Sequence, residues 1–223
     1  MFKIAIDGPG GAGKSTVARA VAKQLEIIYV DTGALYRAVG VYALEKGAKT
    51  DVGEQVVPLL CGLSVELEFK NGVQSVLVNG QDVSGKIRTP EASMAASNVS
   101  AIPEVRKFLF NTQRDIAKKH SVIMDGRDIG TVVLPDAEVK IFLTASPKAR
   151  AMRRFNELKG KGMDVSFDDV LRELNERDHN DSNRAVAPLK PAEDSVTVDT
   201  DEMTLEQEIA AVLDIIKSKI DLK

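Results

Sequence analysis

Two rhythms of apolar residues run along the chain. Short runs at FKIAI (2–6), IIYVD (27–31), SVIMD (121–125), EVKIFLTA (138–145) and SVTVDT (195–200) read as strands; the first stops at Asp7-Gly8, as a buried parallel strand does. Between them apolar positions recur at helical spacing: KSTVARAVAKQLE (14–26), TGALYRAVGVYALEKG (32–47, closed by Gly47), PKARAMRRFNELKG (147–160), SFDDVLRELNERD (166–178) and a last amphipathic stretch from about 204 to 219. Asp168 and Asp169 fall in the first turn of one of these, where acids suit the helix dipole. Strand and helix alternating over short connections predict a parallel sheet covered by helices on both faces. One stretch breaks the rhythm. LSVELEFKNGVQSVLVNGQDVSGK (63–86) alternates polar and apolar residues around Asn71-Gly72 and Asn79-Gly80, the mark of tight antiparallel turns, and predicts a small β insertion.

At 223 residues the chain suits one domain with an insertion. Its formal net charge of -3 gives no general pull toward nucleic acid or an anionic membrane, so any anion site must be local. With aromatics at 4% and no basic stripe, a nucleic-acid partner is not expected. The single Cys61 makes no internal disulfide or multi-cysteine metal site and is expected as a buried, inert thiol, in keeping with a reducing compartment. The start MFKIAIDGPG is neither a signal peptide nor a membrane span, and the reading is cytoplasmic with no membrane partner. His120 and His179 lack neighbours at ligand spacing and are expected in solvated or structural roles.

The clearest chemistry lies at DGPGGAGKST (7–16). Gly8-x4-Gly13-Lys14-Ser15 is a complete phosphate-binding loop, placed between a predicted strand and a predicted helix as the mechanism requires. Gly8, Pro9, Gly10, Gly11, Ala12, Gly13, Lys14, Ser15 and Thr16 are the expected ATP site: the glycines let backbone N–H groups converge on phosphate oxygens, Lys14 reaches the β and γ phosphates, and the Ser15 hydroxyl can ligate Mg²⁺. ATP as phosphoryl donor with Mg²⁺ is therefore expected. No guanine-reading NKxD-type segment is present, which argues against a GTP switch.

A phosphate acceptor needs no carboxylate base, because its second pKa of about 6 leaves it largely dianionic; it needs cationic clamps that bring two anions together. Candidates are Arg37 after DTGALY, Arg127 just past a strand end in IMDGRDIG, Arg150, Arg153 and Arg154 on one helix at spacings of three and four, and Arg177 and Arg184 bracketing a polar run. Lys14, Arg127, Arg150 and Arg177 are the expected transfer machinery. Asp125, ending an apolar strand, reads either as a group behind the magnesium ion or as a helper at the acceptor site, and Asp7 as a residue ordering the glycine loop.

DGPGGAGKST, DTGALYRAV, DVSGKIRTPEASMAASNVSAIPEVR, IMDGRDIGTVVLPDAEVKIFLTASP and ERDHNDSNRAVAPL resemble, in order and over essentially the whole chain, the bacterial cytidylate kinase family. The resemblance implies an α/β P-loop NTPase fold with a five-stranded parallel sheet. It implies a core of 1–32, 115–153 and 180–223, a monophosphate-binding region of 33–114 enlarged by the insertion, and a short lid at about 154–165 with Gly160 and Gly162 as hinges. It implies phosphorylation of CMP and dCMP to CDP and dCDP, by a monomer. By position, Arg37 and Arg127 would grip the acceptor phosphate beside Thr32, while Ser97, Arg106 and Asp128 would read cytosine. Arg177, Asp181 and Arg184 would lie near the sugar and lid. Cytosine's N4 donor and its N3 and O2 acceptors suit a carboxylate facing the first and Arg or Ser facing the others. Two departures leave the chemistry intact: Gly10 stands where the family commonly has Ala or Ser, and Thr32 where some relatives have Ser. The same parts suit a kinase for UMP or dTMP, and the loop alone suits a non-catalytic ATP-binding module.

Overall fold

The structure is a computed structural model that describes residues 1–70 and 73–221. From the N-terminus come β1 (Lys3–Asp7), α1 (Lys14–Gln24), β2 (Ile28–Asp31) and α2 (Thr32–Glu45). The short α3 (Gly53–Val56) and a 3-10 turn (Val57–Leu60) lead into β3 (Val65–Lys70), β4 (Val73–Val78) and β5 (Gln81–Asp82). Then come α4 (Pro90–Ser100), α5 (Pro103–Ala117), β6 (Val122–Gly126), a π turn (Ile129–Val133), β7 (Val139–Thr144), α6 (Pro147–Gly160), α7 (Phe167–Asn183), β8 (Val196–Asp199) and α8 (Leu205–Lys219).

Five parallel strands form one sheet in the order β2-β6-β1-β7-β8, and each coincides with one of the apolar runs. Alternate side chains sort to its two faces, as the period of two requires. Ile4, Ile6, Ile123 and Ile141 pack with Val17 and Val21 of α1 and Val212 and Ile216 of α8. Ala5, Val30, Val122 and Met124 face Ala117 of α5 and the π-turn residues Ile129 and Val133. The register gathers acids at one end of the sheet. Asp31 pairs with Asp125, and Asp7 with Gly126, so three carboxylates end neighbouring strands along the same edge, where crevices of such sheets open.

The alternating stretch forms a separate antiparallel sheet, β3-β4-β5. Asn79 and Gly80 have φ of 49° and 79°, as a two-residue primed turn demands; the turn expected at Asn71-Gly72 lies outside the described residues. This sheet shares a core with α2: Val65, Val76 and Val78 pack with Leu35 and Val39. Cys61 departs from expectation. It is exposed, because the turn ahead of β3 carries its side chain past the edge of that core. The pattern gives no element for 90–117, where α4 and α5 each begin with a proline at the first helical position, under caps Thr89 and Ile102. The stretch 154–165 continues α6 as far as Gly160 and turns through Gly162 toward α7.

α2 and α4 approach closely at Gly40, where an added Cβ would lie 2.8 Å from Ala95 Cβ and 3.0 Å from its carbonyl carbon. Gly40→Val is expected to lower the unfolding free energy by about 1–3 kcal/mol through overpacking, read from the shift in urea midpoint at unchanged slope.

Candidate active site

The glycine loop is shaped by its floor. Gly8 has φ 149°, and a Cβ there would sit 2.0 Å from the Leu143 carbonyl oxygen, so any side chain would drive the loop off β7. At the other end Gly13 is the N-cap of α1 with φ 87° and supplies no side-chain acceptor, whereas Asp31, Ser146 and Ser166 cap α2, α6 and α7. The uncapped N-terminus leaves loop amides for an anion. Lys14 Nζ donates to the Pro9 carbonyl at 2.7 Å. Burial and the nearby Arg127 push this ammonium down to about 7, offset in part by Asp125. Ser15 Oγ donates to Asp125 Oδ2 at 2.6 Å, and Tyr29 OH to Asp125 Oδ1 at 3.0 Å. Burial and the adjacent Asp31 raise Asp125 above the usual carboxylate range.

Facing the loop stands a wall of guanidinium groups, each held by a carboxylate from another element. Asp31 accepts from Ala34 N through Oδ1 at 3.0 Å and from Arg37 through Oδ2 at 2.7 Å, capping α2 and aiming its arginine with one side chain. Arg127 Nε donates to Asp181 Oδ2 at 2.8 Å, and Ser97 Oγ to Asp181 Oδ1 at 3.0 Å. Burial works against that carboxylate, but Arg127 and Arg177 beside it prevail and hold its pKa low. Asp128 accepts from Arg106 through one oxygen and from Arg184 through the other; Arg184 also donates to Ser100 Oγ at 3.0 Å. Thr32 Oγ1 donates to the Asp125 carbonyl at 2.8 Å. Arg177 differs from these. Its buried Nε has no hydrogen-bond partner, as is also true of Arg37 Nε, and burial with the facing Arg127 lowers Arg177 to about 10.

The two halves meet over the loop. A Cβ built on Gly10 would lie 3.6 Å from one Arg127 terminal nitrogen and 3.7 Å from Arg177 Nη1, so both guanidinium groups overhang the glycines at ordinary van der Waals distance from an added methyl. Asp7 does not order the glycine loop, as the sequence suggested, but the segment beside it. Its carboxylate accepts from Ile129 N and Gly130 N, each at 2.7 Å, and so anchors the π turn that comes after Arg127 and Asp128.

Most residues expected at the site line one cleft of about 570 Å³, within the usual range for ligand pockets, but Gly8, Pro9 and Arg106 do not: Arg106 is buried behind Asp128, with its guanidinium on that carboxylate and the Ser100 carbonyl. Ten cationic side chains line it against five carboxylates, in a chain whose formal net charge is -3. Two expectations are redistributed. Ser97 bonds to Asp181 rather than joining Asp128, while Arg184 joins Asp128. Arg150 does not line the cleft: its guanidinium donates to the Ala145 and Gly10 carbonyls at 2.8 and 3.0 Å and to Asp178 at 2.5 Å, fastening the loop to α6 and α7. Arg153 and Arg154 line the cleft instead, although Arg153 is also tied to Thr200 and Glu208. Sequence reasoning passes over Asp31, Tyr29 and Asp178 as working residues. Asp31 is accessible to it as the cap ahead of a helical pattern, and Asp178 as the acid next to Arg177; nothing local marks Tyr29.

Comparison with known proteins identifies the family. The family model described as Cytidylate kinase matches residues 4–218. A cytidylate kinase of Caldicellulosiruptor saccharolyticus is 50% identical over 214 residues, spanning 96% of this chain and 95% of that protein. One from Fervidobacterium nodosum is 48% identical over 99% of both chains. Among solved structures, an uncharacterised protein from Eubacterium ventriosum shares the fold with TM-score 0.52 at 13% identity, covering 98% of this chain and 99% of that one.

The Asp7 anchor has a pH signature. Burial raises this carboxyl from 3.8 to about 6, against the lowering effect of the two N–H donors. The native chain thus holds this proton more tightly than the unfolded chain. The stabilisation is fully present below about pH 4 and is lost as pH rises through about 6, a swing of about 3 kcal/mol. Asp7→Asn removes the titration. The stability of the unmodified chain relative to Asp7→Asn is therefore expected to fall between pH 4 and pH 7, and denaturant unfolding across that range measures it.

Proposed function

The chain belongs to the cytidylate kinase family, and on that premise we propose that it transfers the γ-phosphoryl group of ATP to CMP and dCMP, giving ADP with CDP or dCDP. The observation that carries this reading is the overhang of Arg127 and Arg177 across the phosphate-binding loop, which brings cationic groups from the acceptor half to the donor half. Phosphoryl transfer asks the protein mainly to position two anions and neutralise the charge that spreads over the moving group. A cleft with ten cations to five carboxylates does both.

In this reading the loop amides and Lys14 hold the β and γ phosphates. The near-neutral value of Lys14 reflects burial beside other cations, and an arriving triphosphate restores its full charge. The donors around Ser15 fit magnesium: a hydroxyl and the Asp125 carboxylate behind it are hard oxygen groups. Magnesium characteristically takes its remaining ligands from substrate phosphates and water, so the lack of a three-residue ligand cluster among the described residues is compatible with it. When bound, the ion neutralises triphosphate charge; Ser15 and Asp125 fix where it sits. Arg37, steered by Asp31, and Arg127, steered by Asp181, grip the acceptor phosphate near Thr32. Arg177, with its unmatched Nε, is placed for the group in transit.

Base selection falls to Asp128. Arg106 and Arg184 hold its carboxylate in a buried position, where it accepts from the exocyclic amine of cytosine, with Arg106 donating to the ring. Uracil offers a carbonyl at the same place, leaving buried groups unmatched, and sites of this kind reject near-isosteres strongly. Asp181, which accepts from both Ser97 and Arg127, links the base-reading residues to the phosphate clamp, and the sugar is assigned to its neighbourhood. Arg150 serves through the loop it fastens. The turn at Gly160–Gly162 lets the end of α6, with Arg154 and Lys161, close over the cleft and exclude water.

A panel of monophosphates assayed with ATP and magnesium tests the assignment: CMP and dCMP should exceed UMP and AMP in kcat/KM by a wide margin, and equal rates would remove it. Asp128→Asn is expected to shrink the preference for CMP over UMP by about ten- to a hundredfold while leaving the KM for ATP within about twofold, since one good base contact is worth about 1–3 kcal/mol. Arg127→Ala should lower turnover with every monophosphate alike.

A further inference from the structure

We propose that Gln74, on the inserted sheet, is a positioning residue that fixes Asp31 and through it aims Arg37 at the acceptor phosphate. The proposal rests on the assignment of Arg37 to the acceptor site. β2 is an edge strand of the parallel sheet, so at its last residue, Asp31, one flank has no neighbouring strand to pair with. The Gln74 side-chain amide takes the place of that strand. Its Oε1 accepts from Asp31 N at 2.9 Å, and its Nε2 donates to the Asp31 carbonyl at 3.2 Å. Both backbone groups of one residue are thus clamped by one side chain. That residue is the one whose carboxylate caps α2 and holds Arg37 at 2.7 Å.

The clamp is anchored on both sides. β4 reaches α2 through the shared core of Val76, Val78, Leu35 and Val39, and Leu67 and Phe69 of β3 pack against the core cluster that contains Val30 of β2 and Ala117 of α5. The inserted sheet therefore moves with α2 as one packed body, and Gln74 sets where that body meets the end of β2. Without the amide, the Asp31 backbone turns to water and its carboxylate loses its fixed direction. Arg37 then has only that loosened carboxylate to steer it, because its buried Nε has no partner. The expected loss is in acceptor binding, since the hydrogen bonds that link Gln74, Asp31 and Arg37 include none to the glycine loop. This gives the insertion a part in substrate binding without direct contact with the nucleotide.

Gln74→Met keeps the side-chain volume and removes both hydrogen bonds; Gln74→Ala removes the side chain. Two bonds worth about 0.5–1.5 kcal/mol each predict a rise of about five- to 150-fold in the KM for CMP, with the KM for ATP within about twofold. Calorimetry of CMP and ATP binding separates the same two effects without turnover, and cooperative thermal unfolding of both variants confirms that the fold is kept. In an Arg37→Ala background, adding Gln74→Met should change the KM for CMP by less than about twofold, because the route through Arg37 is already cut. Equal increases for CMP and ATP, or a Gln74→Met effect that persists in full without Arg37, would overturn the proposal. If Arg37→Ala alone leaves the KM for CMP unchanged, the acceptor-site assignment fails first, and this inference falls with it.

Discussion

Burying positive charge is costly unless each cation is matched, and this molecule buries a row of arginines at one sheet edge by giving most of them an aspartate from a different element. Arg37 takes Asp31, Arg127 takes Asp181, Arg106 and Arg184 share Asp128, and Arg150 takes Asp178. Such pairs add little net stability compared with apolar packing, and breaking one leaves a stranded charge. Their return is geometric. Each guanidinium is held at a fixed place before any anion arrives, so little reorganisation is required when one does. The exceptions are Lys14, on a backbone carbonyl, and Arg177, with an unmatched Nε; both line the cleft, and the proposed function assigns them to the phosphates.

The sheet makes this pairing possible. Parallel register brings Asp7, Asp31 and Asp125 to the ends of neighbouring strands, and each is used differently. Asp31 steers an arginine, Asp125 backs the loop serine, and Asp7 pins the π turn that carries the chain from Arg127 and Asp128 back toward β7. The inserted β sheet enters the same scheme from outside, through one glutamine that completes the edge of β2. Scaffold and site are therefore linked by a few side chains, and the site's precision depends on them.

Much of this is legible in the chain itself. The five strands, the glycine loop and the helices that follow it, β2 and β7 obey short-range rules of periodicity and motif spacing, which is why the sequence locates them within about two residues, while α7 runs five residues beyond the predicted end at Asp178. The Asn79-Gly80 turn reflects local backbone preference. Helix α4 escapes the pattern because its apolar positions are small and mixed with polar residues, as in PEASMAASNVS, whereas α5 buries Val105, Leu109 and Ala117 at helical spacing and its periodicity is plain in the chain. Cys61 is misplaced for a related reason: an apolar neighbourhood in sequence does not reveal which side of a turn faces solvent. The candidate site residues can be found by position along the chain, but who holds whom cannot. Partners such as Ser97 and Asp181, or Gln74 and Asp31, are 84 and 43 residues apart, and only the tertiary register brings them together.

If the cleft works as proposed, it draws two nucleotides tail to tail, with the phosphate loop at one end and the arginine wall at the other. A single compound with adenosine and cytidine joined through a chain of phosphates tests this most directly, in a competition experiment against each substrate. The expected result is that one molecule binds per chain, displaces both ATP and CMP, and binds more tightly than either. Displacement of ATP alone, with CMP still binding at full strength, would contradict it.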